Sequence, residues 1–197
     1  MCGIAGSVNY KLSYEAIKKA MLHRGPDEQN GFQHLNIDLY HLRLSILDIS
    51  GGKQPMTIKG RYTIIFNGEI YNHQALRKQF NFSTSTNSDT EILLLLFEKM
   101  GEACLQYLDG MFAFAIFDSV ERKIFLARDR AGKKPLYYYK DNDKIVFASE
   151  LNCLKHLLPL EINTNHFFHY LRFGTFYKKK YSLYKCERIE CRKLYVY

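Results

Sequence analysis

Residues 2–8 are small and mostly apolar, which suits a buried strand. Ser13 can cap a short helix that carries Ile17, Ala20 and Met21 on one side and ends before Gly25 and Pro26. The run Tyr62 to Phe66 predicts a strand, and the turn-forming pair Asn67-Gly68 is expected to stop it. Asn72 is then expected to cap a helix carrying Ala75, Leu76 and Phe80. Ser88-Asp89-Thr90-Glu91 has serine at the cap and glutamate three residues on, the capping-box pattern, ahead of the helix Ile92 to Met100. That helix is apolar nearly all round, so it must be covered on more than one side.

Met111 to Phe117 is hydrophobic throughout, and Lys123 to Ala127, Leu136 to Tyr139 and Lys144 to Ala148 follow across short polar turns such as Asp141-Asn142-Asp143. Strands joined by such short turns must pair antiparallel, because parallel pairing needs long crossovers. A strand apolar on both faces also needs a layer on each side. Two stacked antiparallel sheets with helices outside meet both conditions, which predicts an α+β fold with four layers, αββα.

Composition narrows the class. The 197 residues are 47% hydrophobic, enough for one domain with a sizeable core. No stretch reaches the roughly 18 uninterrupted apolar residues of a membrane span, and residues 1–30 lack a signal-peptide pattern, so the reading is cytoplasmic, with no membrane partner. The five cysteines include no CxxC pair, which argues against a metal site and for free thiols, with Cys104 and Cys153 as core fillers. Net charge is +8, and residues 177–197 hold seven Lys or Arg against two Glu, so +5 of it lies there. Tyr181, Tyr184, Tyr195 and Tyr197 interleave that charge, which fits a structured segment better than a nucleic-acid-binding arm.

Cys2 stands directly behind the initiator methionine. Loss of Met1 would place a thiol and a free α-amine on one residue. The amine's ordinary pKa of about 8 leaves a useful fraction unprotonated near neutral pH, so it can act as base toward the thiol.

Four segments extend this feature: Met1-Cys2-Gly3-Ile4-Ala5-Gly6, His23-Arg24-Gly25-Pro26-Asp27, Arg43-Leu44-Ser45-Ile46-Leu47-Asp48 and Asn67-Gly68-Glu69-Ile70-Tyr71-Asn72. With Ser88-Asp89-Thr90-Glu91, Gly110 to Ala115, Arg128-Asp129-Arg130 and Lys134 to Tyr138, they resemble in order the glutaminase domain of glutamine-hydrolysing asparagine synthetases. These are class II glutamine amidotransferases of the N-terminal-nucleophile (Ntn) hydrolase superfamily, whose fold is the αββα sandwich.

The resemblance implies that Cys2, made N-terminal, attacks the side-chain amide of L-glutamine, with the Asn67 side-chain amide and the Gly68 backbone N–H as oxyanion hole. It places Arg43, Leu44, Ser45, Ile46 and Leu47 at the glutamine site, Arg43 for the substrate carboxylate, and Glu69 and Asp89 for its amino group. The chemistry is coherent. Attack on an amide concentrates charge on one oxygen, where each fixed donor is worth on the order of a hundredfold to a thousandfold, and arginine offers a planar fork to a carboxylate. A glutamyl thioester and ammonia result, and water then releases glutamate.

Simpler readings stand beside these roles. Asp89 could serve only the helix dipole, and Asn67-Gly68 could be only a turn. His23 and His41 are read as structural hydrogen-bonding residues, and Arg128, Asp129 and Arg130 as a structural or interdomain ion-pair cluster.

The resemblance departs from the family at one end. No Ser-Gly-Gly-Leu-Asp string of an ATP-using synthetase half occurs, and Arg192 stands where the family usually has glycine. The expectation is a glutaminase domain over 1–176 and a basic tail over 177–197 leading toward a missing synthetase domain, as in a truncated or split enzyme. No cofactor is then expected in this chain, ATP and magnesium belonging to that domain. Expected partners are L-glutamine, a synthetase domain or subunit, and a second copy in a homodimer. The ammonia is expected to serve asparagine synthesis from aspartate. Sugar, purine or surface-polysaccharide acceptors are the alternative, as is an inactive glutamine-binding or partner-stabilising module.

Overall fold

A computed structural model describes residues 1–45, 48, 51–161, 163–174, 185–189 and 194–196. In chain order the elements are β1 (Gly3–Val8), α1 (Tyr14–Met21), β2 (Glu28–His34), β3 (Ile37–Arg43), β4 (Met56–Ile58), β5 (Tyr62–Ile70), α2 (His73–Gln79) and α3 (Asp89–Met100). A 3₁₀ turn (Gly101–Gln106) leads to β6 (Gly110–Asp118), β7 (Lys123–Arg128), β8 (Tyr137–Asp141), β9 (Lys144–Ala148), α4 (Leu151–Leu157), α5 (Thr164–Phe173), β10 (Cys186–Arg188) and β11 (Leu194–Val196). One sheet has the order β10-β8-β9-β1-β3-β2 and the other β11-β7-β6-β5-β4. Every pairing is antiparallel.

Strand alternation explains the layers. On β6, Phe112, Phe114 and Ile116 pack with Leu93, Leu96 and Phe97 of α3, whereas Ala113, Ala115 and Phe117 pack with Ile4, Leu39 and Phe147 of the other sheet. On β1, Ile4 points between the sheets and Ala5 points outward to Ile17, Met21 and Leu154 of α1 and α4. The order α2/α3, sheet, sheet, α1/α4 is the expected αββα sandwich. The runs read as buried strands are buried because both of their faces are covered. Leu93, Leu94 and Leu96 of α3 are fully buried, worth about 1.5–3 kcal/mol each. Gly6 keeps the middle layer thin, since a Cβ there would lie 2.2 Å from the Phe147 ring.

Several local expectations change. Asn67-Gly68 is not a turn: β5 runs through it to Ile70, with Asn67 opposite Ala113 and Gly68 opposite Phe112. Partners along all of β6 outweigh the pair's turn preference, and at Gly68 a Cβ would lie 2.2 Å from the Met111 carbonyl oxygen, so the close strand approach itself calls for glycine. The Ser88 cap forms, its hydroxyl accepting from the Thr90 N–H at 3.2 Å, but Glu91 does not complete the box. Its carboxylate instead accepts from the backbone and hydroxyls of Ser85 and Thr86 at 2.6–2.9 Å, ordering the loop before the helix. Asn72 likewise caps no helix with its side chain and bonds Tyr107 and Asp109.

The hairpin of β2 and β3 has no counterpart in the sequence reading. Asp38, His41 and Arg43 interrupt the hydrophobic pattern of β3, although all seven of its residues are buried. Asp38 is buried because its carboxylate accepts the Leu12 N–H at 2.8 Å. Within 177–197, expected as a tail, Cys186–Arg188 and Leu194–Val196 pair with β8 and β7 at the edges of the two sheets, and Ile189 is fully buried in the layer between them.

His41 lies between the sheets, and its Nε2–H donates to the Phe66 carbonyl of β5 at 3.2 Å. Burial holds the imidazole neutral, its pKa lowered from 6.5 to about 3 despite that hydrogen bond. An unfolded His41 binds a proton below pH 6.5 while the folded one does not, so its contribution is full above 6.5 and is lost as pH falls toward 3, by about 1.4 kcal/mol per unit. Chemical denaturation at pH 7 and pH 5 should therefore show wild type losing about 2 kcal/mol more than His41→Gln, which can donate the same bond without titrating. Equal losses would show that His41 titrates normally in the fold.

Candidate active site

The site forms where β5 outruns its neighbour. β4 ends its pairing with β5 at Ile64, which leaves the edge beyond it open. Alternation aims the N–H groups of Phe66, Gly68 and Ile70 at that edge. The Phe66 N–H donates to Gln54 Oε1 at 2.6 Å and the Ile70 N–H to Asp89 Oδ2 at 2.9 Å. Gly68 sits between them, where the edge borders a cleft that is partly open to solvent. Gln54 is itself fixed by donation from Nε2 to Thr90 Oγ1 at 3.2 Å. Side chains at the edge thus replace the missing strand.

Two strands from opposite sheets bring Cys2 and Asn67 together. Cys2 directly precedes β1 and by alternation shares the inward face of Ile4, while Asn67 shares the inward face of Ile65. Both line the cleft. Asn67 is 1% exposed, and its Nδ2 has no hydrogen-bond partner among the described residues. A buried amide donor left open costs about 1–3 kcal/mol, so this one is available to a group entering the cleft.

The Leu44 N–H donates to Cys2 Sγ at 3.4 Å, and Sγ lies 3.6 Å from the Leu44 carbonyl oxygen. Arg24 Nε donates to the Cys2 carbonyl at 3.0 Å, and Glu150 holds Arg24 at 2.9 Å and His23 at 2.9 Å. Burial pushes the Cys2 thiol above its ordinary pKa, opposed by the Leu44 N–H. Burial also lowers the α-amine, which here sits on Met1.

Arg43, Leu44, Glu69 and Asp89 line the same cleft as Cys2, Asn67 and Gly68. Arg43 is buried, donates to the Asp48 carbonyl at 2.8 Å and pairs with Glu28 at 3.3 Å. Asp48 also anchors its loop, its carboxylate accepting from the Gly51 and Asn87 N–H groups at 2.9 Å each. Asp89 is 5% exposed, and burial raises its pKa against the Ile70 hydrogen bond. Ser45 does not line the cleft; its N–H donates to Asp27 Oδ2 at 2.7 Å. Ile46 and Leu47 lie outside the described residues.

Gln54, Thr90 and Lys134 complete the wall, and the sequence reading gave none of them a role there. Lys134 arrives on a tight turn that Asp129 organises by accepting the Phe112, Lys133 and Lys134 N–H groups at 2.9–3.3 Å. Arg128 donates to the carbonyls of Lys134, Ile189 and Gly132, so it also clamps the backbone of this turn. Among the described residues no group of acidic, His and Cys side chains could hold a metal, and no helix is long and apolar enough to cross a membrane.

The sequence profile of the glutamine amidotransferase domain matches residues 1–193, and the chain belongs to that family. It is 39% identical over 188 residues to a putative glutamine-hydrolysing asparagine synthetase 2 of Methanocaldococcus jannaschii, covering 83% of this chain and 36% of that protein. To asparagine synthetase 3 of Bacillus subtilis it is 40% identical over 167 residues, covering 78% of this chain and 27% of that protein. To asparagine synthetase B of Escherichia coli it is 39% identical over 165 residues, covering 78% and 30%. The chain thus spans about a third of the length of these relatives. The glutamine phosphoribosylpyrophosphate amidotransferase of B. subtilis shares the fold, with a TM-score of 0.64 at 22% identity over 78% of this chain and 43% of that one.

Gln54 should matter more than its place in a loop suggests. Gln54→Met keeps the size and removes the acceptor for the Phe66 N–H, so urea denaturation should show a loss of about 1–3 kcal/mol. A change below about 0.5 kcal/mol would mean that water replaces it.

Proposed function

We propose that this amidotransferase domain hydrolyses L-glutamine to glutamate and ammonia with Cys2 as nucleophile, after removal of Met1. The observation that carries the reading is the buried, open amide donor of Asn67 beside the Gly68 edge, across one cleft from the Cys2 thiol. With Met1 gone, the α-amine sits on Cys2 and takes the thiol proton. The thiolate attacks the amide carbon, and the developing oxyanion receives the Asn67 Nδ2–H and Gly68 N–H. The amine returns the proton to the leaving nitrogen, ammonia departs, and water activated by the same amine cleaves the thioester.

Arg43 takes the substrate carboxylate through its fork, oriented by Glu28 and the Asp48 carbonyl. Glu69 and Asp89 take the substrate ammonium, and Leu44 closes the floor beside Sγ. Ser45, Ile46 and Leu47 belong to the same binding stretch. We further assign the ammonia to asparagine formation from aspartate, in a longer or partnered enzyme that uses ATP and magnesium. The names of the relatives at 39–40% identity support this acceptor. In extracts of cells making the protein, nitrogen from amide-labelled glutamine should enter asparagine; entry into amino sugars or purines instead would reassign it.

Intact-mass analysis of active protein should show loss of Met1, and retention of Met1 in fully active material would exclude the amine as base. Cys2→Ala should abolish turnover. Asn67→Ala should lower kcat by roughly a hundredfold with little change in KM, as for a donor used mainly in the transition state. Asp89→Asn can still accept the Ile70 N–H, so KM should rise about tenfold or more, the loss of about 1.4 kcal/mol, while the melting temperature moves little. A sharp fall in melting temperature at constant KM would show that Asp89 serves only the helix.

A further inference from the structure

Lys134 is 5% exposed and lines the cleft, yet among the described residues it forms no ion pair. Its Nζ donates to the thioether of Met1, at 3.1 Å. A thioether is a weak acceptor. Burying an ammonium against it is unfavourable, and a buried lysine normally finds a carboxylate. The backbone leaves Lys134 little choice of position, because Asp129 accepts its N–H at 2.9 Å and Arg128 donates to its carbonyl at 2.6 Å. A rigid turn therefore drives a cation into the cleft toward the residue that occupies the start of the chain. Removing Met1 takes away the one side-chain acceptor it has among the described residues and leaves the ammonium facing the new terminus.

Resting on the glutaminase reading above, we propose that the Lys134 ammonium is the counter-charge of the Cys2 thiolate. The step it favours is a proton transfer: Cys2 Sγ–H gives its proton to the α-amine or to water, and the thiolate that remains is held by Lys134 Nζ and the Leu44 N–H. No electron changes hands. The charged groups around Cys2 are the α-amine, Arg24 on the turn after α1, Asp27, Arg43 at the end of β3, Glu69 on β5, Asp89 across the cleft, and Lys134. Arg24 and Arg43 pair with Glu150 and Glu28, whereas Lys134 is the side-chain cation in the cleft with no carboxylate partner among the described residues; Arg43 and Lys134 both favour an anionic sulfur. Burial works against a thiolate here, and a cation within about 4–6 Å offsets that by one to three pKa units. Lys134 is held below its own ordinary pKa by burial and by Arg24, and an anionic sulfur beside it restores the charged form.

The test uses Met1-free protein, verified by mass, and the rate of Cys2 alkylation by iodoacetamide from pH 5 to 10, with Cys2→Ala protein subtracted as background. Lys134→Met keeps the stem and removes the charge, whereas Lys134→Arg keeps the charge. The expected result is a titration midpoint raised by at least about one unit in Lys134→Met and nearly unchanged in Lys134→Arg. The kcat at pH 7 should fall about tenfold in Lys134→Met, in line with the lost thiolate, with KM for glutamine within about twofold and the melting temperature preserved. An unchanged midpoint in Lys134→Met overturns the proposal. So does a rise in KM at constant midpoint, which would make Lys134 a ligand for the substrate carboxylate. If the midpoint moves but wild type turns over no glutamine, the thiolate pairing stands and the glutaminase assignment fails.

Discussion

The hydrogen bond from His41 to the Phe66 carbonyl crosses from one sheet to the other at the point where β5 has lost its outer neighbour. It ties the two sheets together close to Cys2 and Asn67, because His41 pairs opposite Ile4, two residues after Cys2, and Phe66 immediately precedes Asn67. A strand edge with no partner ordinarily invites another strand. Here it is closed by Gln54 on one side and Asp89 on the other, and the Gly68 position between them is left to face the cleft. The opening is therefore a consequence of one short strand, β4, and of polar side chains placed to compensate for it.

The same economy governs the electrostatics. Burial raises the Cys2 thiol and lowers the amine at the start of the chain, so for both groups it favours the neutral form. The surrounding arginines have partners of their own: Arg24 donates to the Cys2 carbonyl and pairs with Glu150, and Arg43 pairs with Glu28. Charge in the cleft is supplied by groups whose backbones are rigid. Asp89 begins α3, and Lys134 ends a turn built on Asp129.

Much of this was legible in the sequence where hydrophobic pattern and strand pairing agree. The unbroken hydrophobic run Met111 to Phe117, the short turns between the strands and the all-round apolar α3 call for two sheets and an outer helical layer, and the clusters divide along those lines. The β2–β3 hairpin was not legible, because the polar residues of β3 are buried by partners distant in sequence: Leu12 for Asp38, Phe66 for His41 and Glu28 for Arg43. Asn67-Gly68 misled for the opposite reason. Its local turn chemistry is strong, but it lies opposite an unbroken β6. The substrate-site residues implied by the family resemblance and described here gather at one cleft, apart from Ser45, whereas the parts of Gln54 and Lys134 there rest on side-chain contacts that leave no periodic signal.

The central claim is that the open Asn67 amide and the Gly68 edge exist to hold an oxygen carried by the Cys2 sulfur. A crystal structure of the Met1-free protein after reaction with an electrophilic ketone analogue of glutamine tests it most directly. The account predicts a covalent bond at Cys2 Sγ and the former carbonyl oxygen within about 3 Å of both Asn67 Nδ2 and the Gly68 nitrogen. An adduct on another residue, or an oxygen turned away from both donors, would contradict it.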